Sequence, residues 1–352
     1  MYKVNPIFKP VLFAIDLIGN IIFFPTKLKS FPEEIRKILV IRLDHVGDAV
    51  MTTPVVRSLK MNYPMADVHV TCRSLTKDVF ADNPSVSNVI AVDAPWFSRR
   101  DFEGWGSFFR KVSELRKEKY DLVIELHADP RNIMLASLIG GYKVGYDIRG
   151  FGFLLNRVAK YDKIDKHNIE RNLDVLRSLN LVSLSTEPEL FVSKESSQKM
   201  KKLLGKGRFV CINPGTGRQE KYWLKERWVE LCKKIEKSGY KLLFTGSPGD
   251  QKLVDEIIFT SGIKTKNYIN IVGRTSLSEL AAAIKQCKLF IGPDTGPMHI
   301  ARAVKTPLIG LFSPVDPNVW GYNDSKYKNI WKPKMSDITV DDVSSLAKRM
   351  LK

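Results

Sequence analysis

Short apolar runs that end in polar or glycine-rich turns recur along most of the chain. Two clear examples are Lys37–Arg42, with four aliphatic residues in its interior, and Leu289–Ile291. Uninterrupted apolar runs of this length are typical of parallel strands that are buried on both faces. Several runs are followed by apolar residues three or four positions apart, the spacing of a helix face. We therefore predict strands over residues 37–42, 67–71, 89–92, 120–126, 208–212, 240–245 and 289–291.

The strands and helices alternate in both halves of the chain, which predicts two doubly wound α/β domains. A length of 352 residues suits two domains of ordinary size. We place the N-terminal domain at residues 36–185 and the C-terminal domain at 190–335, with a linker inside the mixed polar stretch 181–194. Residues 336–352 carry apolar residues at helical spacing, so we expect a final helix there.

The turn after the strand at 289–291 contains candidate binding residues. It runs from Gly292 to His299, with Pro297 near the first turn of the helix that follows. Backbone amides at a helix start have no partner in their own helix, and the helix dipole adds positive charge, so the turn predicts a phosphate site. Asp294 and His299 flank that site. In the alternative reading, Asp294 caps the helix and His299 packs against the strand.

A second glycine turn follows the strand at 208–212. The turn is neither a Walker loop nor a complete G-x-G-x-x-G motif. A third polar turn, after the strand at 240–245, contains Asp250. Three strand-then-turn units in one half imply a ligand crevice at the carboxyl edge of a parallel sheet. In the second turn, Gly215 and Gly217 allow close approach of the backbone to a ligand. Thr216 adds a hydroxyl, and Lys221 adds a mobile cation.

The first half carries its own polar turns at strand ends. The strand at 37–42 leads into Asp44, His45 and Asp48, and the loop after 120–126 contains His127 and Arg131. A positioned carboxylate can take the proton of a hydroxyl nucleophile, so Asp48 is a candidate general base. In the alternative reading Asp48 caps the following turn, while Asp44 and His45 only shape the loop.

These motifs together resemble glycosyltransferase family 9, the family of the ADP-heptose:lipopolysaccharide heptosyltransferases. The resemblance extends over about residues 37–315. It implies a GT-B fold, with two Rossmann-like domains facing across a cleft, and inverting, metal-independent sugar transfer. It also implies that the final helix can cross back to the first domain. The motifs that carry the resemblance occur in the family's order, as Ile38–Asp48 with Thr52–Pro54, Asn213–Thr216 with Lys221–Trp223, and Gly292–Gly296 with His299.

The resemblance implies roles for individual residues. Asp48 stands where the family has its catalytic base. The donor-binding positions are Thr216, Gly217 and Lys221 at the diphosphate, Thr295 and Gly296 with their backbone amides, Asp294 at the sugar hydroxyls, His299 beside it, and Asp250 near the ribose. We assign acceptor binding to Arg42, His45, His127 and Arg131. Well-studied heptosyltransferases have a lysine and small polar residues at Arg42 and at Asp44-His45, which leaves the identity of the sugar open.

The composition indicates an anionic partner and argues against nucleic acid, a metal or a cofactor. The formal net charge is +18, which makes nucleic acid a rival partner, but the basic residues are spread along the chain without a recognisable nucleic-acid module. An anionic membrane surface or a phosphorylated glycolipid acceptor explains the charge better. No Asp-x-Asp metal signature occurs, and we expect neither a metal nor a cofactor. The cysteines are few and widely spaced, which suits a reducing cytoplasm: Cys72, Cys211, Cys232 and Cys287.

The N-terminal segment, residues 1–30, predicts a contact with the membrane. Residues 7–24 are mostly apolar, but polar residues interrupt them too often for a bilayer span, and no signal-peptide cleavage site follows. On a helix the interruptions form one polar stripe, which favours an amphipathic helix in the membrane interface. The stripe consists of Lys9, Asp16, Asn20 and Lys27. The alternatives are a helix packed on the protein's own domain and, less favoured, a transmembrane anchor.

The sequence therefore predicts a cytoplasmic sugar transferase, peripherally bound to the inner face of the cytoplasmic membrane. It extends a lipopolysaccharide core or a related glycolipid, and ADP-heptose is the favoured donor by resemblance. Another nucleotide sugar is the alternative within the same class. From other classes, a sugar-nucleotide epimerase of the same fold and a non-enzymatic basic membrane-binding protein stay open.

Overall fold

The chain folds into two compact units, Met1–Glu187 and Pro188–Lys352. The division falls inside the predicted linker stretch at 181–194. The computed structural model describes residue 7 and residues 9–97, 103–162, 166–183 and 185–352. Residues 1–6 and 8 of the predicted N-terminal segment lie outside the described residues.

The first unit is a parallel sheet with helices. Its strands are β1 (Lys37–Arg42), β2 (Asp67–Cys72), β3 (Asn88–Ala91), β4 (Leu122–Glu125), β5 (Tyr142–Gly145) and β6 (Arg157–Val158). Its helices are α1 (Lys9–Ile22), α2 (Phe24–Leu28), α3 (Val46–Val50), α4 (Thr53–Asn62), α5 (Trp105–Lys117), α6 (Pro130–Ile139) and α7 (Asn168–Arg177). The strands lie in the order β3-β2-β1-β4-β5-β6, and all neighbours are parallel.

The second unit repeats this plan. Its strands are β7 (Phe209–Ile212), β8 (Lys241–Phe244), β9 (Tyr268–Asn270), β10 (Leu289–Pro293), β11 (Leu308–Phe312) and β12 (Tyr327–Trp331). Its helices are α8 (Lys194–Leu204), α9 (Lys225–Lys237), α10 (Gln251–Ser261), α11 (Leu277–Lys285), α12 (Gly296–Ala303), α13 (Pro317–Trp320) and α14 (Val340–Met350). The order is β12-β11-β10-β7-β8-β9, again with parallel neighbours.

Both sheets have the same topology. Counted from the first strand of each unit, the order is 3-2-1-4-5-6, which is the Rossmann order. The order reverses between the first and fourth strands, so the switch point lies between β1 and β4 in the first unit and between β7 and β10 in the second. Sheets of this kind bind ligands beyond the carboxyl ends of the strands at the switch point.

The central strands are buried because helices cover both faces of each sheet. The interior of β1 is fully buried, as the aliphatic run predicts, and so are the aromatic and aliphatic residues of β10. In the second unit the core also includes Trp228, whose ring packs edge-on against Trp223 at 4.8 Å. All four cysteines are buried thiols.

The C-terminal helix packs within the second unit. Val343 and Ala347 of α14 are buried in the same core as Ile235 of α9, and Leu346 and Met350 pack against that core. The apolar face of α14 thus packs on α9 and belongs to the core of the second unit. Its crossing back to the first domain stays a prediction.

The N-terminal helix α1 lies on the first unit with part of its polar stripe turned inward. Its buried or half-buried residues are Lys9, Leu12, Asp16 and Gly19, which share one helix face. Asp16 Oδ1 accepts a hydrogen bond from the backbone N–H of Phe151 at 2.8 Å. Among the described residues, no helix combines the length and the apolar character that a bilayer crossing requires.

The same docking continues into α2. Lys27 Nζ donates to the carbonyl of Gly152 at 2.6 Å, and Asn156 Nδ2 donates to the carbonyl of Thr26 at 2.7 Å. A Cβ on Gly19 would lie 2.5 Å from the Phe153 ring, so only glycine permits this approach. Two of the four residues of the polar stripe, Asp16 and Lys27, thus pack on the protein's own domain, as the alternative reading predicted.

Most apolar residues of α1 and α2 face away from the unit. They are exposed by roughly half or more of their surface, in contrast to ordinary surface helices, which turn this face to the core. The outward residues include Val11, Phe13, Leu17, Ile18, Ile21, Ile22 and Phe24. This arrangement leaves a large apolar patch on the surface of the first unit.

Candidate functional site

Charged side chains gather at the switch point of the first unit, around Arg42 at the end of β1. Arg42 Nη2 donates to Asp48 Oδ1 at 2.8 Å and lies 3.5 Å from Asp44 Oδ2, while its Nη1 donates to the carbonyl of Leu126 at 2.8 Å. The arginine is buried. We expected Arg42 to bind the acceptor, and in the structure its guanidinium faces Asp48 and Asp44.

Asp48 lies in the first turn of α3 and does not cap it. The N-cap residue of α3 is His45, and no side chain accepts a capping hydrogen bond there. The alternative reading of Asp48 as a helix cap is therefore wrong. Its side chain is only 14% exposed, and Arg42 fixes one of its carboxylate oxygens.

Asp44 contacts three side chains at this switch point, those of Arg42, His45 and His127. It accepts hydrogen bonds from the backbone N–H of His45 at 2.7 Å and from His45 Nδ1 at 2.9 Å, and His127 Nε2 lies 3.4 Å from its other oxygen. Burial opposes ionisation of Asp44. The hydrogen bonds of His45 and the charges of Arg42 and His127 outweigh burial and hold its pKa well below the usual range.

The two histidines on Asp44 differ in their ionisation. The hydrogen bond to Asp44 raises the pKa of His45, whose ring is largely exposed beside Phe97. Burial lowers the pKa of His127, so this imidazole is mainly neutral at neutral pH. A neutral His127 with its proton on Nε2 donates to Asp44 and accepts from Asn132 through Nδ1.

Glu125, the last residue of β4, is a buried carboxyl that the sequence analysis did not select. It accepts hydrogen bonds from the backbone N–H groups of His127 at 2.9 Å and Ala128 at 2.7 Å. Complete burial raises the pKa of Glu125 to about 7 despite these bonds. A carboxylate at the end of an otherwise apolar run was the signal that could have identified it.

Arg131 lies in the first turn of α6, after the same loop. Its guanidinium forms two hydrogen bonds with the buried carboxylate of Asp129, at 2.8 and 2.6 Å. Burial of Asp129 opposes its ionisation, but the hydrogen bonds from Arg131 lower its pKa overall. Roughly half of the Arg131 side chain stays exposed, so it can still contact a ligand.

The second unit has a corresponding cluster at its switch point, around Asp294 after β10. Lys221 Nζ donates to Asp294 Oδ2 at 2.6 Å and to its carbonyl at 3.2 Å, and His299 Nε2 lies 3.4 Å from Oδ1. His299 Nδ1 lies 2.8 Å from the hydroxyl of Tyr322. Burial of Asp294 opposes its ionisation, but His299 and Lys221 lower its pKa overall.

The start of α12 keeps backbone amides beside this cluster. Thr295 is the N-cap residue, no side chain caps the helix, and Thr295 and Gly296 are partly exposed. The reading of Asp294 as a helix cap is therefore wrong, because its carboxylate is turned to Lys221 and His299. His299 is buried, yet it bonds Tyr322 and contacts Asp294 rather than only packing on the strand.

The glycine turn after β7 lies beside Asp250. A Cβ on Gly215 would lie 2.2 Å from the Asp250 carboxyl carbon, whereas a Cβ on Gly217 meets no described atom within 4 Å. Asp250 Oδ2 accepts from the backbone and hydroxyl of Ser247, so it shapes its own turn as well as bordering the glycine turn. Thr216 is partly exposed, and its hydroxyl accepts from the backbone of Arg218 at 3.3 Å.

Two Rossmann-like units, each with a charged cluster at its switch point, are the parts of a GT-B glycosyltransferase. A model of glycosyltransferase family 9 (heptosyltransferase) matches residues 108–349, more than half of the chain. The chain therefore belongs to glycosyltransferase family 9 and is a glycosyltransferase, as the sequence motifs predicted.

Individual relatives agree with this assignment. Lipopolysaccharide heptosyltransferase 3 of Escherichia coli K12 is 29% identical over 290 residues, covering 78% of this chain and 81% of the relative. The crystal structure of a family 9 glycosyl transferase from Veillonella parvula matches with a TM-score of 0.79 at 24% identity, covering 92% and 99% of the two chains. ADP-heptose lipopolysaccharide heptosyltransferase II of Escherichia coli matches with a TM-score of 0.76 at 24% identity, covering 90% and 98%. These likenesses confirm the predicted fold class.

Proposed function

We propose that this glycosyltransferase moves a heptose from ADP-heptose onto a lipopolysaccharide core or a related glycolipid, with inversion at the anomeric carbon and without a metal. The observation that carries the proposal is the pair of charged clusters at the two switch points, which supply a base and an anion site. The named functions of the relatives, all lipopolysaccharide or lipooligosaccharide heptosyltransferases, favour heptose over other sugars.

The second unit binds the donor in this proposal. Among the described residues, Lys221 donates two hydrogen bonds, both to Asp294, and an ammonium has a third N–H for a phosphate oxygen. The amides of Thr295 and Gly296, the turn of Thr216 and Gly217, and the dipole of α12 add positive potential at the same place. These groups stabilise the charge that develops on the leaving nucleoside diphosphate.

Other donor contacts are assigned on the same basis. Asp294 and His299 contact hydroxyls of the sugar, and Asp250 lies beside the ribose. The position of Asp250 against Gly215 supports this assignment, because it puts a carboxylate next to the turn that binds the diphosphate.

The first unit binds the acceptor and removes its proton. The acceptor oxygen attacks the anomeric carbon, Asp48 takes the hydroxyl proton, and the bond from that carbon to the diphosphate breaks with both electrons going to the leaving group. Arg42 acts as a positioning residue, since its two-pronged group fixes Asp48 against Asp44. His45, His127 and Arg131 keep their proposed roles in acceptor binding.

The charges present support metal independence. Ligand atoms of Asp44, His45 and Asp48 lie within 4.8 Å of one another, a spacing that a cation fits. Arg42 already supplies cationic charge to both carboxylates, and Lys221 supplies it to the diphosphate, so the proposed chemistry needs no further cation. Full turnover in excess chelator is the expected result, and a strict requirement for Mg²⁺ or Mn²⁺ contradicts it.

The acceptor class is tested with a panel of nucleotide sugars and delipidated core oligosaccharides, with release of nucleoside diphosphate as the readout. A heptosyltransferase consumes ADP-heptose only when an acceptor is present. NMR of the product should show that the configuration at the anomeric carbon is inverted relative to the donor. An epimerase instead yields an epimerised sugar without any acceptor. A membrane-binding protein without activity does neither and shows no thermal stabilisation by nucleotide sugars.

The outward apolar face of α1 supports peripheral attachment to an anionic membrane. Since removing residues 1–30 also uncovers Phe153, substitutions test the attachment more cleanly than truncation. Ile18→Asp with Ile21→Asp should abolish flotation on anionic vesicles, whereas Met65→Asp, a change at an exposed residue remote in sequence, should not. High salt should weaken the parent's binding only partly, because apolar contacts persist when charges are screened. Equal flotation of all three proteins contradicts the attachment through α1.

A further inference from the structure

A groove of about 430 Å³ lies between α1 and the loops at the carboxyl edge of the first-unit sheet. Val11 and Leu12 form its wall on the helix side, and Phe151 adds an aromatic surface. Arg131 and Arg149 stand on the opposite side, with the buried Asp129 between them.

The groove carries a net positive charge beside an apolar wall. Asp129 is bound to Arg131 at 2.6 Å and lies 4.0 Å from Arg149, so one buried carboxylate faces two guanidinium groups. Both arginine side chains are roughly half exposed and retain N–H donors for an anion. A ligand that matches this surface has an alkyl or acyl part and a phosphate or carboxylate next to it.

The groove and the switch point of the first unit share the loop after β4. Asp129 is the N-cap residue of α6 and follows His127 by two positions on the loop after β4. His127 in turn contacts Asp44, and the charge of Arg149 contributes to lowering the pKa of His127. Arg149 therefore acts electrostatically both on the groove and on His127, a residue in contact with Asp44.

The opposite end of the groove belongs to α1. Val11 and Leu12 are neighbours of Phe13 and Ile15, which are on the outward apolar face. The docking of α1 through Asp16 and Gly19 holds this wall in place on the loop at 150–153. The groove thus lies between the helix that carries the outward apolar face and the loop that follows β4.

We propose that this groove binds the phosphorylated, lipid-proximal part of the glycolipid acceptor. The inference rests on the proposed function, because it names the part of that acceptor which the groove takes. A bulk membrane lipid has the same chemistry, but its place is the outward face of α1. The loop that the groove shares with His127, a neighbour of Asp44, favours the acceptor in the groove.

The first experiment compares acceptors in detergent, so that vesicle binding plays no part. Leu12→Asp and Arg149→Gln should each raise the KM for a lipid-borne core acceptor about tenfold, the effect of losing one charged or apolar contact. The KM for a delipidated core and for the donor should not change. Leu138→Asp, an exposed residue of α6, is the matched control and should behave as the parent. Equal effects on both acceptors, or no effect on either, overturn the proposal.

A binding measurement keeps the groove testable if transfer is never detected. Decyl phosphate below its micelle concentration should bind the parent by calorimetry, and both variants should weaken that binding about tenfold. Inorganic phosphate and decanol, which each have only half of the chemistry, should bind more weakly. Decyl phosphate binding without glycosyl transfer refutes the proposed function but not the ligand class of the groove. If the protein transfers the sugar and both variants bind decyl phosphate as tightly as the parent, the groove is not the binding site.

Vesicle flotation separates the acceptor from bulk lipid. Arg149→Gln should float with acceptor-free anionic vesicles as the parent does, since the outward face of α1 is intact. Loss of flotation in Arg149→Gln would show that the groove takes bulk anionic lipid, and would overturn its assignment to the acceptor.

Discussion

The two units place the same three kinds of side chain at the same topological position. In the first unit Asp44 is contacted by Arg42 and by Nε2 of His127, and in the second Asp294 is contacted by Lys221 and by Nε2 of His299. Both histidine contacts measure 3.4 Å. The resemblance between the two clusters follows from their common Rossmann order, which brings the first and fourth strand ends together in each unit.

The cations differ, and this difference separates the functions of the two clusters. Arg42 is buried at a strand end, and its planar group holds two carboxylates and a carbonyl at once. Lys221 ends a short turn, and its compact ammonium can add a phosphate oxygen to the bonds it already has. The first cluster is suited to fixing a base, and the second to receiving an anion.

The largest effect is expected from Asp48→Asn, which keeps the shape but removes the base. Turnover should fall by about 10²–10⁴-fold, while donor affinity stays close to that of the parent. Steady-state kinetics together with calorimetry on the nucleoside diphosphate check both parts. Asp82→Asn, an exposed aspartate of the same unit, is the control. If Asp48→Asn turns over normally, the base lies elsewhere and Asp44 is the next candidate.

Glu125→Gln tests the fully buried carboxyl at the end of β4. With a pKa of about 7 against an ordinary 4.5, native Glu125 keeps its proton at pH 5–6 while the unfolded chain loses it. The free energy of unfolding should therefore fall by about 3 kcal/mol as pH rises from 4.5 to 7 through this group. In Glu125→Gln that part of the pH dependence should vanish.

Denaturant unfolding at several pH values gives the measurement. Glu125→Gln loses an acceptor for a backbone N–H, so it should also be less stable at low pH by about 1–3 kcal/mol. Glu114→Gln, an exposed position, should follow the parent at every pH. A parent whose stability rises over the same interval, with the rise lost in Glu125→Gln, would mean that Glu125 is ionised in the native state.

Lys221→Ala tests the anion site of the second cluster. Binding of the nucleoside diphosphate should weaken by roughly 1.5–3 kcal/mol, the range for a charged hydrogen bond. Lys225→Ala is the matched control, because Lys225 pairs with Glu256 at the surface and should change binding little. Calorimetry in excess chelator measures both variants. Equal affinity in the two variants would remove Lys221 from the donor site.

The smallest effects are expected in the glycine turn of the second unit. Gly215→Ala forces Asp250 to move and should cost about 1–2 kcal/mol of stability as well as donor affinity. Gly217→Ala meets no described neighbour, so its stability should change by less than about 0.5 kcal/mol. Weaker donor binding in Gly217→Ala would show that the diphosphate approaches the backbone there, and unchanged binding would exclude a close approach.

The sequence was most informative where strands are buried on both faces. β1 and β10 are nearly continuous apolar runs, and both were predicted, whereas the equally buried β11 was not. β12 was not, because Lys328 and Asn329 interrupt it and its place in the sheet depends on pairing with β11. The residue pattern of one segment carries no information about which distant segment it pairs with. Edge strands of this kind are therefore not predicted from the sequence.

The candidate site shows the same limit. The motifs identified Asp48, Lys221, Asp294 and His299, since each follows a recognisable strand and turn. They could not show that Arg42 is turned inward, because that depends on the loop after β1 folding back over its end. Asp44 was named as a loop residue, and only the tertiary contacts with His127 give it a central position.

The docking of α1 and α2 on their own unit has a consequence for handling the protein in solution. Because Asp16 of α1 and Lys27 of α2 hold these helices in place, their apolar side cannot be hidden by a simple rotation. In plain buffer this surface can be shielded only by another molecule, by detergent or by a second chain. Sedimentation in buffer should therefore report concentration-dependent association, and a mild detergent should reverse it.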